Sequence, residues 1–289
     1  MQKELVVKTN RLNQAFQMLT LAELHIVQLA IVDARETGTG LSTDIPLRID
    51  AKRYAEVFTT SRQNAYQRMK EAEDTLFNRR FSFYDEDGKL VKSRWISQVK
   101  YLDDQGAIEI VFTPAVVQGI SRIDGVKEFF TQYLLSQTAQ LKSVYSARLY
   151  ELLIQWRSTG KVPMVDLKTF REQLGIVDHE YKLMSDFKKR VLELAVKEIN
   201  EKTDITVQYE QHKAGRIIKG FSFLFKQKQR SPKQKSENDY SKDLNVGDIF
   251  HKLTEKQLGM FSSKLAEVPA AQTMAHTGED KGRSVARFS

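Results

Sequence analysis

The sequence contains no cysteine among its 289 residues. Disulfide bonds and thiolate metal sites are therefore excluded, which is compatible with a reducing cytoplasm. Long apolar runs are missing as well. The longest, residues 21–32, is interrupted by Glu23, His25 and Gln28 and falls short of the roughly 18 residues that span a bilayer. The first residues, MQKELVV, carry no secretory apolar segment, so we expect a cytoplasmic protein without membrane contact.

Signatures of catalysis are missing too. The five histidines, at positions 25, 179, 212, 251 and 276, have no metal-ligand spacing and form no His-x-His pair. This argues against an enzyme that nicks DNA with a tyrosine beside a metal held by such a pair. The Gly-Lys pairs at 88 and 160 are followed by Leu90 and Val162, so no P-loop is present. We predict no catalytic residue, metal site or cofactor, and hence no enzyme.

Positive charge is what the chain has in excess. Its formal net charge is +8 and its isoelectric point is about 9.4, which suggests an anionic partner. Charge alone is weak evidence, because many soluble proteins are mildly basic. The length favours about two domains, and 41% apolar residues can supply ordinary cores.

The most basic amphipathic segment is residues 181–200, YKLMSDFKKRVLELAVKEIN. At about 100° per residue, one predicted helix stripe is apolar and core-facing, comprising Leu183, Phe187, Val191 and Leu194. The opposite face presents Lys182, Ser185 and Lys189, and the flanks hold Lys188 and Arg190. The alternative is that the Lys-Lys-Arg run is merely solvated, but Asp186 is the only acid in about the first three turns.

The surrounding segments have the order of a winged helix. A shorter helix is predicted at residues 166–175, ending at Gly175. Two β-rich runs follow the basic helix, at 204–210 and 216–225, joined by QHKAG. In a winged helix the second helix enters the major groove and the hairpin lies against the backbone. The basic residues in or near the tip of this wing are Lys213, Arg216 and Lys219.

The first half repeats this order of elements. Helices are predicted at 21–36, capped by Thr20 and Glu23, from Asp50 onward, and at 61–78. Strands are predicted at 43–49, 80–84, 90–102 and 107–112, with a hairpin at DEDG, residues 85–88. In the helix at 61–78 the side chains opposite the apolar stripe are Gln63, Gln67 and Lys70, with Arg62 placed for a phosphate near its start. The competing interpretation is a polar, solvated helix face.

These patterns predict an α+β protein with two tandem winged-helix domains and a mostly disordered C-terminal tail. We assign residues 1–135 to the first domain and 136–226 to the second. Residues 227–289 form a polar tail. A capping box at Thr254 and Gln257 predicts a short helix near 254–267 within it.

Four blocks of the sequence resemble the iteron-binding theta-type plasmid replication initiators, the RepB/RepE-like Rep family. The first is ELVVKTNRLNQAFQMLTLAELHIVQLAI, which starts at residue 4. The others are LKSVYSARLYELL at 141–153, DLKTFREQLGI at 166–176 and FKKRVLELAVKEINEKTDI at 187–205. They follow the family's order over residues 4–225.

The resemblance implies a bacterial, plasmid-associated protein that binds direct repeats at an origin, helps to open the duplex and recruits host initiator and helicase. It also implies a homodimer that binds an inverted repeat and represses the protein's own gene. By position, the main DNA contacts would be Lys182, Ser185, Lys188, Lys189 and Arg190. The secondary contacts, from the domain that also forms the dimer interface, would be Ser61, Arg62, Gln63 and Gln67.

Two alternatives remain open at this point. One is a winged-helix transcriptional repressor without a replication role. The other is an assembly protein whose first domain mainly self-associates through the edge of the strand at residues 90–102.

Overall fold

The computed structural model describes residues 4–121 and 129–228, and the structural statements below refer to these ranges. The helix expected at residues 254–267, and the tail to which it belongs, lie outside them.

The first half of the described chain is a mixture of helices and short strands. Its elements are β1 (Leu5–Thr9), α1 (Asn10–Asn13), β2 (Phe16–Gln17), α2 (Leu21–Thr37), β3 (Leu47–Asp50), α3 (Ala51–Val57), α4 (Arg62–Leu76), β4 (Arg80–Tyr84), β5 (Leu90–Arg94), β6 (Ile96–Leu102), a 3-10 turn (Asp103–Gln105), β7 (Ala107–Phe112), α5 (Pro114–Ile120) and β8 (Phe130–Leu134).

The second half contains fewer and longer elements. They are α6 (Leu135–Ala139), α7 (Val144–Ile154), β9 (Lys161–Asp166), α8 (Leu167–Gln173), a recognition helix in three consecutive segments (Met184–Phe187, Lys188–Leu192 and Glu193–Lys202), β10 (Ile205–Ala214) and β11 (Ile217–Gln227). The middle segment of the recognition helix is a π turn.

The two halves share one sheet topology. In the first, the strands run in the order β3-β7-β6, and in the second in the order β9-β11-β10. In both sheets the last strand lies between the first and the second, and all pairs are antiparallel. A helix precedes the first strand and two helices follow it in each half. The fold is therefore α+β with two winged helices, as the sequence predicts.

Helix starts agree with the side chains that can cap them. The Thr20 hydroxyl accepts a hydrogen bond from the Glu23 amide at 3.3 Å, and the Glu23 carboxylate accepts one from the Thr20 amide at 2.6 Å. Asp50 caps α3 and Asp166 caps α8. Ser143 caps α7, which begins at Val144.

The single strand predicted at residues 90–102 is wrong. It is two strands that belong to different sheets: β5 pairs with β4, and β6 pairs with β7. The break lies at Trp95, which is 1% exposed, while the next residue, Ile96, is 0% exposed. The bend at Trp95 ends β5 and lets the chain enter a different sheet as β6. The hairpin of β4 and β5 around the Asp85–Gly88 turn is as predicted.

The strand expected from residue 43 begins only at Leu47, and a strand pair was missed altogether. β1 pairs with β8 from Leu5–Leu134 to Thr9–Phe130. These strands are far apart in sequence, and the buried residues of β1 are consecutive rather than alternating. β1 packs against α2, and β8 packs against α7.

A buried charge cluster lies where the two halves meet, centred on Glu151 of α7. One of its carboxylate oxygens accepts hydrogen bonds from Lys8 at 2.7 Å, Tyr133 at 2.6 Å and Gln28 at 3.1 Å. The other forms an ion pair with Arg148. The Glu151 and Lys8 side chains are 0% and 4% exposed. Burial alone would raise the pKa of Glu151, but the charges of Lys8 and Arg148 outweigh it and hold that pKa at about 2.

We predict that Glu151→Ala destabilises the protein by about 3 to 5 kcal/mol, because it leaves Lys8 and Arg148 buried without their counter-charge. The control is Glu201→Ala, which removes an exposed ion pair with Lys197 at 4.0 Å and should cost about 0.5 kcal/mol or less. Urea denaturation of both variants measures the difference. Equal effects would contradict the role assigned to the cluster.

His25 provides a second prediction, on acid stability. Its ring stacks on Phe58 with centroids 4.0 Å apart, and burial, helped by the charge of Arg68, lowers its pKa to about 4. The unfolded state therefore binds this proton first, and stability falls as pH drops from about 6.5 to 4. The loss from this residue should reach roughly 3 kcal/mol.

Replacing His25 with phenylalanine should flatten the unfolding free energy between pH 6.5 and 4. Replacing the exposed His179 with phenylalanine should leave the pH profile as it is, because His179 lies on the surface. Denaturation curves measured across this pH range give the unfolding free energy at each pH. If its slope against pH were the same in His25→Phe as in the wild type, His25 would not be the cause of the loss of stability.

Candidate nucleic-acid interface

The recognition helix begins three residues later than predicted. Its first residue is Met184, preceded by Leu183 in an extended conformation. Tyr181 has a φ of 41°, which a right-handed helix cannot include. Lys182 therefore lies in the loop before the helix, and its predicted place on the helix face is wrong. Lys182 is nevertheless exposed, beside the helix start.

The buried stripe of the recognition helix also differs from the prediction. It consists of Phe187, Val191, Ala195 and Ile199, each 1% exposed or less, with Leu192 beside it. The predicted members Leu183 and Leu194 are 66% and 41% exposed. A stripe spaced by four residues drifts around an α-helix of 3.6 residues per turn, and the wider π turn at Lys188–Leu192 reduces that drift.

The polar side of the helix presents Ser185, Lys189 and Arg190, all exposed. The Arg190 Nε lies 3.9 Å from Asp186. Lys188 is different, because it is half-buried against the wing. Its Nζ donates to Gln211 at 3.4 Å and lies 6.0 Å from the centre of the Tyr209 ring. Lys188 thus connects the helix to β10 rather than pointing away from the domain.

The wing is longer than the sequence suggested. Most of QHKAG belongs to β10, and the turn is Gly215 and Arg216, because Ala214 pairs with Ile217. Gly215 has a φ of 61°, a conformation that glycine adopts without strain. The predicted wing residues are all exposed: Lys213, Arg216 and Lys219.

In the first domain, the buried stripe of α4 consists of Ala65, Met69, Ala72 and Leu76. The predicted contacts Arg62, Gln63 and Gln67 are exposed. Ser61 precedes the helix, and its hydroxyl accepts from the Asn64 amide at 3.2 Å. This side chain therefore caps the start of the helix.

The charge of Lys70 is partly neutralised by the first domain's own wing. Its Nζ donates to Asp103 at 3.2 Å and lies 5.1 Å from the centre of the Tyr101 ring. Asp104 stands next to Asp103 in the turn between β6 and β7. The tip of the first wing is thus acidic, whereas that of the second is basic.

The described residues hold no cluster of three or more metal-binding side chains. Within residues 4–121 and 129–228 no helix is both long and apolar enough to cross a bilayer. Sequence reasoning overlooked Arg171, whose side chain contacts the loop before the recognition helix. Helical periodicity carries no signal for such a contact, because it joins a helix side chain to carbonyl groups six to ten residues onward.

Comparison with known proteins supplies the family. A family model described as "Initiator Replication protein, WH1" matches residues 5–154, and one described as "Initiator Rep protein, WH2" matches residues 166–225. The chain belongs to the initiator replication protein family. The two winged helices of the structure lie, in order, within the residues that the WH1 and WH2 models match.

Three individual relatives share between 24 and 30% sequence identity with this chain. An uncharacterised 27.6 kDa protein of Escherichia coli is 25% identical over 232 residues, covering 77% of this chain and 95% of that protein. The PI protein of Escherichia coli is 30% identical over 173 residues, 55% of this chain and 54% of PI. The crystal structure of the Pi initiator protein in complex with iteron DNA matches with a TM-score of 0.63 at 24% identity, covering 80% of this initiator and all of that chain.

The contrast between Lys189 and Lys188 gives a test of the interface. Lys189→Ala should lower the slope of log affinity against log salt for duplex DNA by about 1, because it removes one phosphate contact. The thermal midpoint should not change. Lys188→Ala should change the slope less and lower the thermal midpoint, because it loses its contact with β10.

Filter binding at several salt concentrations and a thermal melt measure both quantities. If the two variants were indistinguishable in salt slope and in midpoint, the different placements of these lysines would have no functional meaning.

Proposed function

We propose that this initiator binds repeated double-stranded DNA sites, iterons, at a plasmid origin. The observation that carries the proposal is the exposed cationic surface of the second domain. Lys189 and Arg190 on the recognition helix, Lys182 before it and the three wing cations are all exposed. The recognition helix would lie in the major groove and the wing along the flanking backbone. Family membership and the iteron complex of the Pi protein support this assignment.

In this proposal the two domains divide the work. The second, residues 136–226, makes most of the DNA contacts, through Ser185, Lys189 and Arg190. The first, residues 1–135, adds phosphate contacts through Arg62, Gln63 and Gln67. Its acidic wing turn at Asp103 and Asp104 would be repelled by the backbone, which supports a secondary role for it.

The protein would open the origin through DNA binding itself. We propose that the protein is not an enzyme, acts in the bacterial cytoplasm on the plasmid, and opens the origin by deforming its sites. Bending a site of 20 to 30 base pairs costs about 1 to 6 kcal/mol, which specific contacts can offset. Host initiator and helicase would then be recruited, while a homodimer on an inverted repeat would repress the protein's own gene.

The second candidate function is transcriptional repression without replication, because two winged helices and a basic surface serve it equally well. A plasmid that carries this gene and its flanking DNA distinguishes the two. Autonomous replication of this plasmid is expected for an initiator. Loss of replication when the repeats are deleted would show that replication requires the DNA sites that the protein is proposed to bind.

Binding to DNA repeats is the direct test. The full-length protein should bind a duplex containing direct repeats from beside its gene at least about 1,000-fold more tightly than a scrambled duplex at physiological salt. The double variant Lys182→Ala/Lys189→Ala should lose about tenfold or more of this affinity, since each lysine neutralises a phosphate or reads a base. Titrations by fluorescence anisotropy provide the constants.

Lys197→Ala is the matched control. Lys197 lies on the same helix, but toward its C-terminal end and within 4.0 Å of Glu201, so its loss should change affinity less than twofold. Equal affinity for repeat-bearing and scrambled DNA would refute the proposed function. Unchanged binding of the double variant would refute the assignment of this face.

A further inference from the structure

The side chain of Arg171 contacts the loop between α8 and the recognition helix at several points, beside the contacts that Glu180 and Tyr181 make. Its Nη1 donates to the carbonyl of Tyr181 at 3.2 Å. Its Nη2 donates to the carbonyl of Glu180 at 2.6 Å and lies 3.5 Å from that of Val177. A single guanidinium group therefore contacts three carbonyl groups of the loop.

The same side chain contacts the first turn of the recognition helix. The guanidinium carbon lies 5.3 Å from the centre of the Phe187 ring, and Phe187 is 0% exposed. Only a planar group with several donors can stack on a ring and bond to several carbonyls at once, so lysine is no substitute. Arg171 thus fixes the loop relative to the helix.

The fixed loop contains a strained residue. Tyr181 has a φ of 41°, in the left-handed region that costs a non-glycine residue free energy. Its ring packs edge-on against Tyr145 of α7, with centroids 5.9 Å apart. Backbone strain of this kind persists only where surrounding contacts enforce it. Here Arg171 bonds to the carbonyl of the strained residue itself.

Directly after Tyr181 the chain exposes a cation and an apolar side chain. Lys182 is exposed, and Leu183 is 66% exposed. An open depression of about 390 Å³ between the loop and the helix is lined by both, by Arg190 and by the carboxylates of Glu180 and Asp186. Lysine binds phosphate, and an apolar side chain can contact the methyl group of thymine. The loop therefore presents two kinds of DNA-contacting group beside the helix.

We propose that this loop is a second DNA-contacting element and that Arg171 is its positioning residue. Arg171 does not touch DNA itself. It holds the carbonyls of Val177, Glu180 and Tyr181 so that Lys182 and Leu183 leave the loop toward the DNA at the start of the recognition helix. The proposal rests on the proposed function, because it requires that the second domain binds DNA.

A double-mutant cycle separates positioning from simple stabilisation. The first substitution is Arg171→Met, which keeps an apolar stem over Phe187 and removes the donors, with Arg171→Lys as a second variant that keeps the charge. Each is combined with Lys182→Ala. Lys213→Ala, in the distant wing, is the control partner. The probe is a duplex that the full-length wild-type protein has enriched from a random pool, and thermal melts check that every variant is folded.

In the wild-type background, Lys182→Ala and Lys213→Ala should each weaken binding by roughly fivefold. In either Arg171 background, Lys182→Ala should cost less than about twofold, because the loop no longer presents Lys182, whereas Lys213→Ala should still cost its full fivefold. Arg171→Lys should behave like Arg171→Met, since charge without the planar fork does not hold three carbonyls.

Additive effects of Arg171 and Lys182 in folded proteins would overturn the proposal. Loss of folding in both Arg171 variants would also overturn it, because Arg171 would then be needed by the domain rather than by the loop. If Lys182→Ala alone had no effect while Lys213→Ala did, the loop would not contact DNA. If neither lysine mattered, the proposed function itself would fail.

Discussion

The carboxylate of Glu151 is the contact on which the arrangement of the two winged helices depends. It lies on α7, which packs against the recognition helix of the second half, yet its partners Lys8, Gln28 and Tyr133 come from β1, α2 and β8 of the first. Separating the halves would break these three hydrogen bonds, one of which is also the ion pair between Lys8 and Glu151. The end of α8 adds a second constraint. A side chain at Gly175 would approach the carbonyl of Gln17 in β2 to 2.4 Å.

Packing behind the recognition helix then decides which of its faces is available. Four aromatic rings, Phe170, Phe187, Phe221 and Phe223, meet with centroids between 5.4 and 6.2 Å apart. They join α8, the recognition helix and β11 into one core. Because Phe187 is fixed there, Ser185 and Lys189 are left on the surface. The cationic face is thus a consequence of core packing, and Lys188 is excluded from it by its contact with the wing.

Structural elements could be predicted from the sequence where a local pattern determines them. They could not be predicted where they depend on contacts with residues far along the chain. Caps such as Thr20 and Asp166 hydrogen-bond within three residues, so helix starts could be predicted. The bend at Trp95, the left-handed Tyr181 and the pairing of β1 with β8 are enforced by distant contacts, which periodicity does not encode. Leu194 was wrongly predicted to be buried because a fixed rotation of 100° per residue assumes an unbroken α-helix. The π turn before it changes that rotation, so Leu194 lies outside the buried stripe.

Two copies of one topology with opposite wing charges show why fold alone could not assign a role to each half. The sheets β3-β7-β6 and β9-β11-β10 are built alike. The first ends in a turn with Asp103 and Asp104, while the second ends in a turn flanked by Lys213 and Lys219. A phosphate backbone attracts the second tip and repels the first. The difference in charge between the two wings therefore lies in a few side chains at the end of each hairpin, which the shared backbone does not determine.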